Sequence, residues 1–392
     1  MDKPKSPDRS LWFDRNLQIV FAVTLMAVMG VASIAPAFPR IIKAFEISSA
    51  DIAWLITVFT LPGIVLTPVT GILSDRYGRK KILGPSLILF GIAGVSCAFA
   101  DTYRTLIILR FFQGVGAASL GAINVTIIGD LFSGKRRAEA MGYNASVLSV
   151  GTAAYPALGG ALAMMGWYFP FLFPVLAIPV GFIVLFKLKN PEPERSGQFG
   201  RYLKKAFSGM LNRKVIGIFI LSISTFVILY GAYLTLFPLY LSEEFGASTL
   251  VIGLMSSAMS VTTAITSTQL GRLVKRFSEQ ALIITGFALY AISLVIIPLL
   301  PGLIYILIPA LIFGLAQGLN IPSLMSMLAS LSPMEYRGAF MSVNGMVLRT
   351  GQTLGPVIIG GALDLWNSDV AFYTAAAIAT VMIFGGWFLI RK

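Results

Sequence analysis

Few side chains in this sequence could carry chemistry, and those few are unusually placed. The stretch GILSDRYGRKK, Gly71 to Lys81, sets Asp75 among Arg76, Arg79, Lys80 and Lys81. Two further arginines, Arg110 and Arg349, lie inside long apolar runs. A cation at such a position is costly enough to mark function. The alternative for Arg110 is a structural arginine satisfied by backbone carbonyls and nearby amides. Arg110, Gln113, Ala117 and Asn124 recur at steps that put them on one face of a helix. These groups can bind and hold charge, but they do not assemble into a catalytic set. The chain has no histidine and a single cysteine, Cys97, in an apolar run. That removes the usual metal ligand and proton carrier, and any internal disulfide. No cluster of His, Cys or paired acids lies in the apolar runs, so we expect no enzyme, no metal and no bound cofactor.

The elements that must position these residues follow from composition. The 392 residues are 56% hydrophobic and only 12% charged, against roughly 25% charged in soluble domains. Mean hydropathy is +0.83. The chain divides into about twelve apolar runs of roughly 20 residues, each long enough to cross a bilayer as a helix. This predicts an all-α membrane protein. Of the 30 Lys and Arg, all but Arg40, Lys43, Arg104, Arg110 and Arg349 fall on the tails and alternate loops. Bases concentrate on the cytoplasmic side of membrane proteins, so both termini are expected inside a cell (inner) membrane. The net charge of +13 is thus a topology signal, and nucleic acid is not an expected partner.

The polar stretch from Lys187 to Lys214 reads as a cytoplasmic linker between residues 1–186 and 215–392. Part of it, GRYLKKAFSGML, could lie on the membrane as a short helix. The two halves repeat. Gly71, Leu73 and Arg76 match Gly271, Leu273 and Arg276; Met141 and Asn144 match Met341 and Asn344; Gly151, Pro156 and Gly160 match Gly351, Pro356 and Gly360. All share one offset of 200 residues. Repeated halves of matching orientation are the mark of an alternating-access carrier.

Four stretches carry a family resemblance: GILSDRYGRKK; LRFFQGVGAA (Leu109–Ala118); MGVASIAPAFP (Met29–Pro39); and GYNASVLSVGTAAYPALGG (Gly142–Gly160). By these motifs the chain resembles the major facilitator superfamily, and within it the twelve-span drug:proton antiporters. It departs from the antiporter motif at Tyr155, where a glycine is expected; the second half keeps that glycine in Gly355–Pro356.

The resemblance implies two pseudo-symmetric six-helix bundles around a central cavity lined by helices 1, 4, 7 and 10. It implies a cytoplasmic gate of Asp75, Arg76, Arg79 and Asp130, with Asp75 facing helix 11 and Arg79 pairing with Asp130. It places Arg110, Gln113, Asn124, Met29, Phe226, Tyr230, Tyr233, Gln317 and Asn320 around the cavity, although the aromatics would equally suit helix packing or lipid contact. Gly151, Pro156, Gly159, Gly160, Gly355 and Pro356 would form a hinge and seal, because small residues let helix backbones approach. Tyr155 would hold helices 5 and 8 apart. The expected activity is proton-coupled efflux of small hydrophobic or amphipathic compounds by a monomer. The rival is a specific carrier for a metabolite, organic anion or lipid-like solute. No span holds an acid at the depth of the two buried arginines. Asp75 and Asp130 are therefore the candidate proton carriers, and the cargo is expected to be anionic or neutral.

Overall fold

A computed structural model describes residues 11–190, 211–332 and 337–390. Most of the linker, with its expected surface helix, lies outside the described residues, as does the tail before Leu11. Among the described residues, eleven helices are long and apolar enough to cross a membrane: α1 (Arg15–Phe45), α2 (Ala53–Tyr77), α3 (Arg79–Cys97), α4 (Tyr103–Leu131), α5 (Gly134–Met165), α6 (Phe169–Lys187), α7 (Arg213–Phe245), α8 (Thr249–Leu273), α9 (Glu279–Leu299), α10 (Leu303–Leu331) and α12 (Ser368–Leu389). The 29-residue helix α11 (Arg337–Leu365) packs among them. Helices are forced here because lipid offers no partner to backbone N–H and C=O groups. Where a helix begins in water, a side chain takes over an orphan N–H. Asp14 does this for α1, Thr102 for α4, Ser248 for α8, Ser278 for α9 and Asn367 for α12.

Two hydrophobic clusters organise the chain. One is built almost entirely from residues between Leu11 and Leu188, and the other from residues between Val215 and Ile390. The bundles meet along two seams, α2 against α11 and α5 against α8.

Backbone irregularities fall at corresponding places in the two halves. The first span breaks at Ser33 and passes through a 3-10 turn, Ala35–Ala37, fixed by Pro36. The seventh carries a π-helical stretch, Ile228–Leu236, in which the Thr235 hydroxyl donates to the Tyr230 carbonyl (2.7 Å). Both lie where the span presses on a neighbour's backbone. A Cβ on Gly231 would sit 2.5 Å from the Gly355 carbonyl oxygen.

Tyr155 corrects one expectation. Its ring turns into its own bundle, edge-on to Phe173 (6.2 Å), and is 8% exposed. It does not hold α5 and α8 apart. The close approach that Gly355 provides between α7 and α11 instead moves one turn along α5. There a Cβ on Gly159 would run into the Ser33 carbonyl of α1.

Candidate functional site: the seam and its charges

The seams close at one end only. At the end away from the linker, Ser49 donates to Glu243 (2.5 Å) and the Thr249 hydroxyl donates to the Gly160 carbonyl (2.8 Å). Thr57 reaches the Thr353 carbonyl (3.4 Å), and the Thr60 and Thr353 hydroxyls share a hydrogen bond (2.9 Å). The Ala157 N–H donates to Ser257 (3.1 Å). A Cβ on Gly160 would run into the Thr249 carbonyl, and one on Gly253 into the Pro156 carbonyl. Toward the linker side the contacts thin out. A Cβ on Gly345 would lie 3.5 Å from Thr67, and Gly71, Gly121, Gly142 and Gly271 face open space. Among the described residues, no hydrogen bond or ion pair joins the halves on that side. The chain is therefore held in a state open toward its basic face.

That geometry sorts the expected hinge residues. Pro156 and Gly160 lie on the α5–α8 seam. Gly151 and Gly159 face α1, where a Cβ at Gly151 would meet Leu25 and Val28. Gly355 faces α7, against Val227 and Gly231. These three pack helices within a bundle rather than between bundles. Pro356 lies within α11.

The expected gate is half assembled. Gly78 (φ 102°) turns the chain sharply from α2 into α3, a conformation natural to glycine, and brings Arg79 back over the preceding turn. Arg79 is 8% exposed. It donates to Asp130 at the end of α4, to Asp75 (2.5 Å) and to Ser74 (3.2 Å). Asn190 adds a bond to Asp130 (3.3 Å), tying in the segment after α6. The Arg79–Asp130 pairing is as read from the motif. Asp75 differs: its side chain is 57% exposed, and it pairs with Arg79 in its own bundle. With the halves apart on this side it has no opposite helix to meet. Arg76 is exposed beside the Tyr77 ring (5.6 Å) and joins no described gate contact.

Arg110 is not in a cavity. It is 1% exposed inside the first bundle. It donates to the carbonyls of Leu55 (3.1 Å) and Gly30 (2.9 Å) and to Gln113 (2.8 Å), and it lies 4.1 Å over the Phe59 ring. Gln113 turns toward Gly94 of α3. Asn124 is 2% exposed and donates to Thr24 (2.6 Å) and to the Val20 carbonyl (3.1 Å). Met29 is fully buried in the first core. In the second bundle Gln317 accepts from Tyr290, Asn320 accepts from Thr225 (3.1 Å), and Tyr233 stacks between Phe237 and Phe313 (4.7 Å each). These side chains form buried polar and aromatic networks inside the bundles. The period that put them on one helix face was correct; the face looks inward to the bundle. Phe226 and Tyr230 differ. They are half-buried, 6.0 Å apart, and Tyr230 packs against the first bundle's core.

Arg349 was not among the expected site residues. It lies near the middle of α11, half-buried on the α2–α11 seam. It donates to Gln352 (3.1 Å) and reaches across to the Ala117 carbonyl of α4 (3.5 Å). Its signal in the sequence was a charge inside an apolar run, the same as for Arg110. Only the fold separates the two.

Two repeated bundles closed around glycine-lined seams define a membrane transporter. The sequence model of the Major Facilitator Superfamily matches residues 20–246 and again 218–392, and the chain belongs to that superfamily. It is 26% identical over 374 residues to Multidrug resistance protein 2 of Bacillus subtilis (strain 168), covering 93% of this chain and 92% of that one. It is 26% identical over 388 residues to the Bacillibactin exporter of the same organism, covering 94% of each. Among solved structures it superposes on a D-xylose-proton symporter with a TM-score of 0.79 at 17% identity, over 96% of this chain and 98% of that one. The chain is thus a multi-pass carrier of small molecules and not an enzyme.

Proposed function

We propose that this carrier exports small hydrophobic or amphipathic compounds from the cytoplasm across the cell membrane, in exchange for protons, with both termini inside. The observation that carries the reading is the paired seam. Both α2–α11 and α5–α8 are zipped at the end away from the linker, and their contacts thin out toward it. A pair of bundles able to rock about such seams exposes a central site to one side at a time. The basic loops make the open side cytoplasmic. Export of chemically varied compounds is supported by the names of its multidrug-resistance relatives. Among the described residues no acid is buried in either bundle, so the Asp75–Arg79–Asp130 cluster is the place where a proton could act on the gate. A carrier for one organic anion is the second reading, favoured by Arg349.

The test is transport into proteoliposomes with an imposed pH gradient, using a panel of neutral and anionic amphipathic dyes. Gradient-driven movement of several compounds, abolished by an uncoupler, is expected. Equal movement of every compound with the gradient collapsed would overturn the proton-coupled reading.

A further inference from the structure

We propose that Arg349 is an anion-recognition residue of this carrier, taking the carboxylate of an amphipathic cargo midway along the α2–α11 seam. The proposal rests on the transport reading above and adds a ligand class and a residue to it.

The two intramembrane arginines have opposite surroundings. Arg110 is sealed inside a bundle by two carbonyls, an amide and an aromatic ring. Arg349 spends two of its five N–H donors, one of them at the 3.5 Å limit on Ala117. No described residue accepts the other three. Nor does it have a counter-ion: among the described residues the only ion pairs are those of Arg79 with Asp75 and Asp130. A cation at this depth without an anion is expensive. A cargo anion would relieve that cost. Guanidinium suits carboxylate, which it can grip through two parallel bonds.

Apart from Gln352, the neighbours of Arg349 are small or aromatic, and none of them is acidic. Gly63 of α2 lies directly beneath the side chain; a Cβ there would sit 2.9 Å from the Arg349 Cδ and Nε. Tyr230 of α7 lies in the neighbourhood of Arg349, and the Phe226 ring is tilted beside it (6.0 Å). The site thus offers one charged fork with aromatic surface next to it, the pattern of an apolar body carrying a single acid group. Arg349 also touches Ala117 of the opposite bundle, so a bound carboxylate would sit where the two bundles meet.

The test uses the full-length protein in neutral detergent and three fluorescent probes of one shape: pyrenebutyrate, pyrenebutanol and pyrenebutylamine, each corrected for binding to empty micelles. The expected result is that the carboxylate binds at least ~10-fold tighter than the other two, about 1.4 kcal/mol. Arg349→Gln should erase the preference while eluting as a single species by size exclusion. Arg349→Lys should keep part of it, since charge remains but the fork is lost. Equal binding of the three probes, or a preference intact in Arg349→Gln, would overturn the proposal. So would displacement of pyrenebutyrate by phosphatidylglycerol but not by phosphatidylcholine, because the slot would then belong to a lipid headgroup. The two readings fail separately. Arg349-dependent pyrenebutyrate binding without gradient-driven transport of any dye in the panel removes proton-coupled export and keeps the site; gradient-driven transport without carboxylate preference does the reverse.

Discussion

Thr57 of α2 and Ser257 of α8, 200 residues apart, perform one task in the two halves: each places its hydroxyl against the backbone of the opposite bundle. Thr57 donates to the Thr353 carbonyl and Ser257 accepts from the Ala157 N–H. The internal repeat is thereby visible as matched chemistry at equivalent positions of the two seams.

Removing both hydroxyls weakens the closed end of the carrier. Each bond contributes about 1 kcal/mol, and a shift of one to two kcal/mol changes a two-state ratio about 5- to 30-fold. In a Cys97→Ala background with spin labels at positions 48 and 244, the double variant Thr57→Val, Ser257→Ala should populate a longer distance than the parent. An unchanged distance distribution would mean that the hydroxyls do not hold the seam.

Gly160→Leu should stop transport while leaving the protein folded. Its side chain would be driven into the Thr249 backbone, so this end could not close. Transport should fall sharply, because this close approach of helix backbones depends on a missing side chain. Gly361→Ala is the control, because a Cβ there meets nothing within 4 Å. Equal losses in the two variants would contradict the packing argument.

The two acids of the gate should separate by assay. Asp130→Asn removes a charged partner from an Arg79 that is 8% exposed, and charged hydrogen bonds are worth roughly 1.5–3 kcal/mol. Its thermal midpoint in detergent should drop clearly. Asp75 is 57% exposed, so Asp75→Asn should barely move that midpoint. It should nevertheless cut turnover strongly, because closing the basic face would bring Asp75 against the opposite bundle. Normal turnover in Asp75→Asn would remove the latch.

Arg110→Gln should behave as a structural lesion. Three acceptors inside the first bundle lose their donor, and breaking such a buried set costs several kcal/mol. The expected result is a lower thermal midpoint with all transported compounds slowed alike. A selective loss for one compound would return Arg110 to the binding site.

Much of this architecture was legible in the sequence because lipid imposes simple rules. Run length gave the spans, and the offset of 200 gave the two-bundle plan. The partner of Arg79 was readable only through the family resemblance, which implies an acid at the end of α4. Orientation about the helix axis was not. Gln113, Asn124, Gln317, Asn320 and Tyr233 have helical spacing, but spacing alone cannot say whether a polar face looks into the bundle or into the space between bundles. Both directions lead away from lipid, so polarity gives no compass. Tyr155 failed for a related reason: a motif names a residue type, whereas the consequence depends on which neighbour that side chain faces. Arg349 was noticed as a buried base, yet its importance rests on what surrounds it, and only the approach of Gly63 and Ala117 shows that.

Where α5 meets α8, main-chain atoms come together at Gly160, Gly253 and Pro156, and the side chains that bridge beside them are short hydroxyls. A barrier of that kind is indifferent to the shape of what is carried. Descendants of such a chain can therefore exchange the residues that choose a cargo, generation after generation, without the membrane ever springing an ion leak.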